Sequence, residues 1–167
     1  YNSMELVKEV SLTLKDLVEG EWIQMEETNP YTISKERYQL LAIKKTGSLL
    51  RWCFVAPALF KKLAPQEIKL FADFGEHFGL LFQMSDDIID FNRDSKKTFA
   101  LDLQNSNINY VLYKFATLFP DDVSELDQIK EYDKLSKSSQ EKLTEAIVSA
   151  KRDLNEQYDY CSQLLEK

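Results

Sequence analysis

The segment Gln83-Met84-Ser85-Asp86-Asp87-Ile88-Ile89-Asp90 places three carboxylates and an amide in eight residues that are otherwise mostly apolar. On a helix, with about 100° per residue, Gln83, Asp86, Asp87 and Asp90 fall within a sector of roughly 100° and project to one side. Carboxylates sharing a face repel one another, and a divalent cation or basic partners relieve the repulsion. Hard oxygen donors favour magnesium over zinc. A solvated acidic helix end is the alternative for the octapeptide in isolation. Against it, Phe78, Leu80, Leu81 and Phe82 precede the acids, and Ile88, Ile89 and Phe91 interleave and follow them, so the helix should be largely enclosed with its acids lining a cavity.

Other chemically suggestive residues carry less. Asp121-Asp122-Val123-Ser124-Glu125 follows Pro120 directly and opens a helix, where acids complement the dipole. Asp90, Asn92 and Asp94 alternate as in a calcium loop, but Ser95 and Leu101 stand where glycine and glutamate are required. His77, the single histidine, has no nucleophile or carboxylate that the sequence ties to it and reads as a packed or surface residue. Gly75 and Gly79 follow no strand and fit close helix contacts better than a phosphate loop. Cys53 and Cys161 form neither a metal spacing nor a disulfide framework and are expected to be unpaired thiols.

The elements that must position these residues are helices. Of 167 residues, 44% are hydrophobic and 29% charged, with four Gly and four Pro, which suits one folded helix-rich domain over residues 1–167. A net charge of -7 argues against nucleic acid or an anionic membrane surface as the main partner. The longest apolar run, Leu49 to Phe60, contains Arg51 and Pro57 and is too short to span a bilayer, so the cytoplasm is the expected location. Apolar spacing predicts a helix from Met4 to Met25, and Ser34 caps a second through Tyr38, Leu41 and Ile43. Lys45-Thr46-Gly47 falls inside or between helical segments. Pro57 and Pro65 are expected to bracket a short connection, with Pro65 opening the helix that runs to Asp90. A polar loop over Phe91 to Gln104 precedes a helix from about Asn107 to Phe119, ended by Pro120. Two further helices are expected over Asp122 to Leu135 and Ser139 to Leu165, the latter capped by Ser138 or Ser139. No strand-like alternation is evident.

Phe82 to Asp90 resembles the second aspartate-rich motif of the trans-isoprenyl diphosphate synthases, the polyprenyl synthetase family. Three other stretches agree in order. Gly20-Glu21-Trp22-Ile23-Gln24 resembles that family's Gly-Glu-x-x-Gln segment, and Tyr38 followed by Lys45-Thr46-Gly47-Ser48-Leu49 resembles its Tyr and Lys-Thr-x-x-Leu. Lys97 and Asp102-Leu103 stand in its Gly-Lys-x-x-Gly-x-Asp-Leu loop. Four motifs in order are strong evidence where one is moderate.

The resemblance implies an all-α, isoprenoid-synthase-type helical bundle. It implies a prenyltransferase in which Mg2+ assists departure of an allylic diphosphate and the double bond of isopentenyl diphosphate attacks the resulting carbocation. Carried over to this sequence, Asp86 is a direct metal ligand, while Asp87 and Asp90 act through metal-bound waters or as outer acceptors. Lys45 and Lys97 bind the allylic diphosphate, Thr46 and Gln83 add neutral hydrogen bonds, and Asp102 orients Lys97. The family's first aspartate-rich motif is absent, so this chain is expected to be the C-terminal portion of the fold, without the N-terminal helices, inactive alone and working as a homodimer. The alternative is a non-catalytic regulatory or structural subunit, forming a heterodimer with a catalytic one. Asn107 stands where the family usually has lysine, which supports that alternative. A terpene cyclase is disfavoured because its Asn-Asp-x-x-Ser-x-x-x-Glu motif is not found.

Overall fold

A computed structural model describes residues 3–91, 105, 107–129 and 132–166. Among these residues the regular structure is helical and no strand occurs. Helix α1 is Met4–Glu26, with the Ser3 hydroxyl accepting from the Leu6 amide at 3.3 Å. Helix α2, Lys35–Ala42, is capped as expected, since the Ser34 hydroxyl accepts from the Arg37 amide at 3.1 Å. It passes into one π-helical turn, Ile43–Gly47, and then into α3, Ser48–Phe60. Helix α4 is Pro65–Asp90 and carries all of the aspartate-rich segment. The later helices are α5, Tyr110–Leu118, α6, Val123–Ile129, and α7, Lys137–Leu165. Short 3-10 turns at Pro120–Asp122 and Tyr132–Lys134 precede α6 and α7.

Several expected boundaries move. Pro57 lies inside α3 instead of ending it. Its ring fixes a helical φ and costs the helix one hydrogen-bond donor, and the chain turns only after Phe60. There the Leu63 amide bonds the Ala58 carbonyl at 3.1 Å and the Lys62 amide the Leu59 carbonyl at 3.0 Å, a Schellman closure with Lys62 at φ 55°. Helix α5 starts at Tyr110, because Asn109 is extended and its side chain accepts from the Val111 amide at 2.8 Å. Within the helix expected over Asp122 to Leu135, the described residues form α6 over Val123–Ile129 and a 3-10 turn over Tyr132–Lys134. Ser136, and neither Ser138 nor Ser139, caps α7, accepting from the Ser139 amide at 3.1 Å. The loop expected over Phe91 to Gln104 lies outside the described residues from 92 to 104, and Lys97 and Asp102 with it.

The chain divides into two compact units, Tyr1–Met25, Gln39–Gln83 and Glu156–Lys167 in the first, Glu26–Tyr38 and Met84–Asn155 in the second. In the first, Phe74, Cys161 and Leu164 are buried together with Phe54, Leu70, Phe78 and Leu81 around them. Phe54 meets Phe74 edge-on at 4.9 Å, and Phe74 stacks on Phe78 at 5.7 Å. Gly79 is required by a close approach: a Cβ there would lie 2.2 Å from the Gly47 Cα. Gly75 is alike, its added Cβ falling 2.5 Å from the Arg51 Cα, so both glycines are helix contacts as their sequence context indicates. In the second unit, Val111, Leu112, Phe115, Leu126, Leu143, Ala146 and Ala150 are buried. Among the described residues no helix is long and apolar enough to cross a membrane.

Candidate functional site

In the first unit the candidate residues gather at the π-helical turn. A π turn widens the backbone ring by one residue and is often found at functional positions. Here it carries Lys44, Lys45 and Thr46 in succession. All three defining residues of the Gly-Glu-x-x-Gln segment meet Lys45. Gly20 permits the contact, since a Cβ there would lie 2.7 Å from the Lys45 backbone nitrogen. Glu21 pairs with the Lys45 ammonium at 3.3 Å, and the Gln24 side-chain carbonyl accepts from it. Lys44 is held differently, by Asp16 and by Glu19 at 2.9 Å. The hydrogen bond to Asp16, then that to Glu19, keep its ammonium above the ordinary lysine value. Thr46 donates its hydroxyl to the Gln83 side-chain oxygen at 2.8 Å, which orients that amide.

In the second unit the aspartates have unequal surroundings. Asp86 is exposed, whereas Asp87 and Asp90 are buried. Asp87 Oδ2 accepts from the Tyr38 hydroxyl at 2.8 Å and from the Tyr110 amide at 2.7 Å, and Asn109 donates its side-chain N–H to the Asp87 carbonyl at 3.2 Å. The sequence reading treats the three acids as one cavity-lining face, but burial divides them: one carboxylate meets solvent and one is fastened to the N-terminus of α5. Among the described residues no three His, Cys, Asp or Glu side chains form a group able to hold a metal ion.

Tyr110 and Asp153 belong to this network and were not among the sequence candidates. The Tyr110 hydroxyl donates to Asp153 Oδ2 at 2.7 Å, and the Lys114 ammonium donates to the same oxygen at 2.9 Å. Burial raises the pKa of Asp153, but the bonds from Lys114 and Tyr110 outweigh it and leave the carboxyl below its ordinary value. The one available signal was Asn109, an N-cap residue type directly before Tyr110. The partnership across forty-three positions has none.

His77 is packed, as expected: its ring lies 4.5 Å from Tyr160, and Gln157 donates to its backbone carbonyl at 3.0 Å. Burial lowers its pKa. Cys53 and Cys161 are free thiols. Asp122 pairs with Lys142 at 2.6 Å.

The sequence pattern of the family described as polyprenyl synthetase matches residues 1–149. The chain belongs to that family. Its similarity extends to solanesyl diphosphate synthase 2, chloroplastic, of Arabidopsis thaliana, 31% identical over 109 residues, which are 64% of this chain and 26% of that protein. Octaprenyl diphosphate synthase of Escherichia coli (strain K12) is 27% identical over 95 residues, 57% of this chain and 29% of that protein. Among solved structures, a geranylgeranyl pyrophosphate synthase from Lactobacillus brevis ATCC 367 superposes with a TM-score of 0.86 at 20% identity, covering 100% of this chain and 56% of that one. The apo form of an Arabidopsis medium/long-chain length prenyl pyrophosphate synthase gives 0.82 at 24%, covering 99% and 57%. These likenesses show the all-α isoprenoid-synthase fold. The matched stretches are under a third of these curated relatives' length, and the chain spans little more than half of these solved ones.

Proposed function

We propose that this polyprenyl synthetase chain is the C-terminal portion, with the second aspartate-rich motif, of a trans-prenyltransferase that condenses isopentenyl diphosphate with an allylic diphosphate. One observation carries the reading: Gly20, Glu21 and Gln24 converge on Lys45 at a π-helical turn, and the neighbouring Thr46 orients Gln83. A lysine held by a carboxylate and an amide is a point charge ready to exchange those contacts for phosphate oxygens.

In this reading Lys45 and Lys97 bind the allylic diphosphate, Thr46 and Gln83 supply neutral hydrogen bonds, and Asp102 orients Lys97. Asp86 is the direct oxygen ligand for Mg2+, while Asp90 and Asp87 act through bound waters or by holding the helix end. The donor chemistry fits: every group is a hard oxygen, and magnesium keeps several waters and binds phosphates, so it needs no cage of three protein carboxylates. Magnesium, when bound, neutralises charge on the departing diphosphate. The chain's own part is to orient both substrates and exclude water from the carbocation, and no protein nucleophile is required. The protein works in a homodimer of the cytoplasm. The exposed apolar face of α1, with Leu14, Val18, Trp22 and Met25, supports a half-fold that another segment covers.

The test is incorporation of radiolabelled isopentenyl diphosphate, by the chain alone and joined to the residues encoded upstream of Tyr1. The chain alone should be inert and the joined protein active. Asp86→Ala in the joined protein should slow condensation by a factor on the order of a hundred or more. A start codon close to Tyr1, or full activity of Asp86→Ala, would sink the reading. An inert joined protein that stimulates a partner synthase would identify the regulatory subunit instead.

A further inference from the structure

We infer that Tyr110 and Asp153 are positioning residues for the carboxylate-bearing end of α4. The inference rests on the proposed metal role of Asp86. Tyr110 is the link because it works at both ends. Its backbone amide bonds Asp87 Oδ2 at 2.7 Å, while its hydroxyl bonds Asp153 Oδ2 at 2.7 Å on α7. Lys114, one helical turn further along α5, donates to the same Asp153 oxygen at 2.9 Å and balances its charge. The Tyr110 ring lies 4.8 Å from that of Tyr38, whose hydroxyl makes the other bond to Asp87 Oδ2 at 2.8 Å. Both tyrosines are 2% exposed and Asp87 is 3% exposed.

Three helices are thereby tied through one residue. Asp87 is held by the N-terminal amide of α5, where the helix dipole favours a carboxylate, and α5 is held in turn by the Asp153 anchor on α7. Asp86 precedes Asp87 by one residue on the same helix, so whatever fixes Asp87 also fixes the stretch of backbone from which the exposed Asp86 carboxylate projects. Outer groups of this kind set metal affinity by orienting the ligand and not by touching the ion.

The experiment uses the full 167-residue chain with Mn2+ and inorganic diphosphate together as the probe, read by electron paramagnetic resonance, beside hydrogen exchange at the residue-110 amide. Tyr110→Phe keeps the ring and the amide and removes the hydroxyl that bonds Asp153; Asp153→Ala removes the acceptor from the other side. Each should weaken Mn2+ binding roughly tenfold, the lower edge for outer partners, and speed exchange of the residue-110 amide. The double variant should do no worse than either single one. Unchanged Mn2+ affinity in both variants, with only a lowered melting temperature, overturns the positioning role while leaving the site reading standing. Failure of the unaltered chain to bind Mn2+ in the presence of diphosphate, or binding indifferent to Asp86→Asn, overturns the site reading and this inference with it. If Tyr110→Phe does not fold, Asp153→Ala decides between the same outcomes.

Discussion

At the scale of single residues, Asp153 shows how burial and hydrogen bonding compete. Desolvation favours its neutral form, but Lys114 and Tyr110 donate to its carboxylate, and Lys35 adds a weaker attraction, so the folded pKa lies below the unfolded one. The unfolded chain therefore takes up the proton first as pH falls, and stability rises with pH across that window. The contribution of Asp153 is complete above the ordinary aspartate value of about 3.9 and is lost as pH falls through the folded value. Urea midpoints between pH 3 and 7 should show Asp153→Asn less stable than the unaltered chain near neutrality, with the gap closing on acidification. A gap of constant size would rule out this account. Sequence inspection finds residues of this kind only when chemistry clusters along the chain. Lys45, Thr46, Gln83 and the three aspartates were legible as candidates because motif spacing marks them, whereas Asp153 acquires its role from α7 packing beside α5, and that is tertiary information. The inequality of the aspartates was hidden for the same reason: a helical wheel places Asp86 and Asp87 on one face, and it does not show that Tyr38 and Tyr110 donate to Asp87.

At the scale of elements, most helices were legible because apolar spacing, caps and prolines agree. Ser34 and Pro65 act where the sequence puts them. Boundaries failed where two signals competed. Three serines at 136, 138 and 139 offer the same chemistry, and Ser136 prevails where its hydroxyl meets the Ser139 amide and Glu125 accepts from its backbone amide at 2.6 Å. The end of α3 gives a sharper case, since its Schellman closure places Lys62 in the left-handed region at φ 55°. A side chain there costs about 1 kcal/mol or more, which glycine avoids, although glycine has more freedom to lose on folding. Lys62 is exposed, so little packing is at stake. Lys62→Gly should therefore stabilise the chain by roughly 0.5 kcal/mol, read as a raised urea midpoint with unchanged slope. A lowered midpoint would mean that Lys62 contributes contacts outweighing its backbone strain.

At the scale of the whole molecule, the family and the helical fold are established, but a proposed half-site calls for a surface on which the remainder can pack. Helix α1 offers one. Its inner face supplies buried Thr13, Gly20 and Ile23, while Leu14, Val18, Trp22 and Met25 recur at three- and four-residue intervals on the opposite side, 58%, 68%, 63% and 74% exposed. A helix apolar on two faces is normally buried on both. Sequence periodicity alone reports that α1 is amphipathic and does not tell which apolar residues lack cover, because that depends on what else is folded beside them. Trp22 makes the question measurable. In the chain alone its indole is mostly open to water, so its emission should be red-shifted and readily quenched by acrylamide. Joined to the residues encoded upstream, Trp22 should shift to the blue and resist quenching, with Trp52 subtracted by repeating the measurement on Trp52→Phe. Val18→Asp places a charge in the middle of the stripe and should reverse both changes in the joined protein while altering the isolated chain little. Emission from Trp22 that stays water-like in the joined protein would show that α1 does not receive the other half, and the half-site reading would then need a different surface to support it.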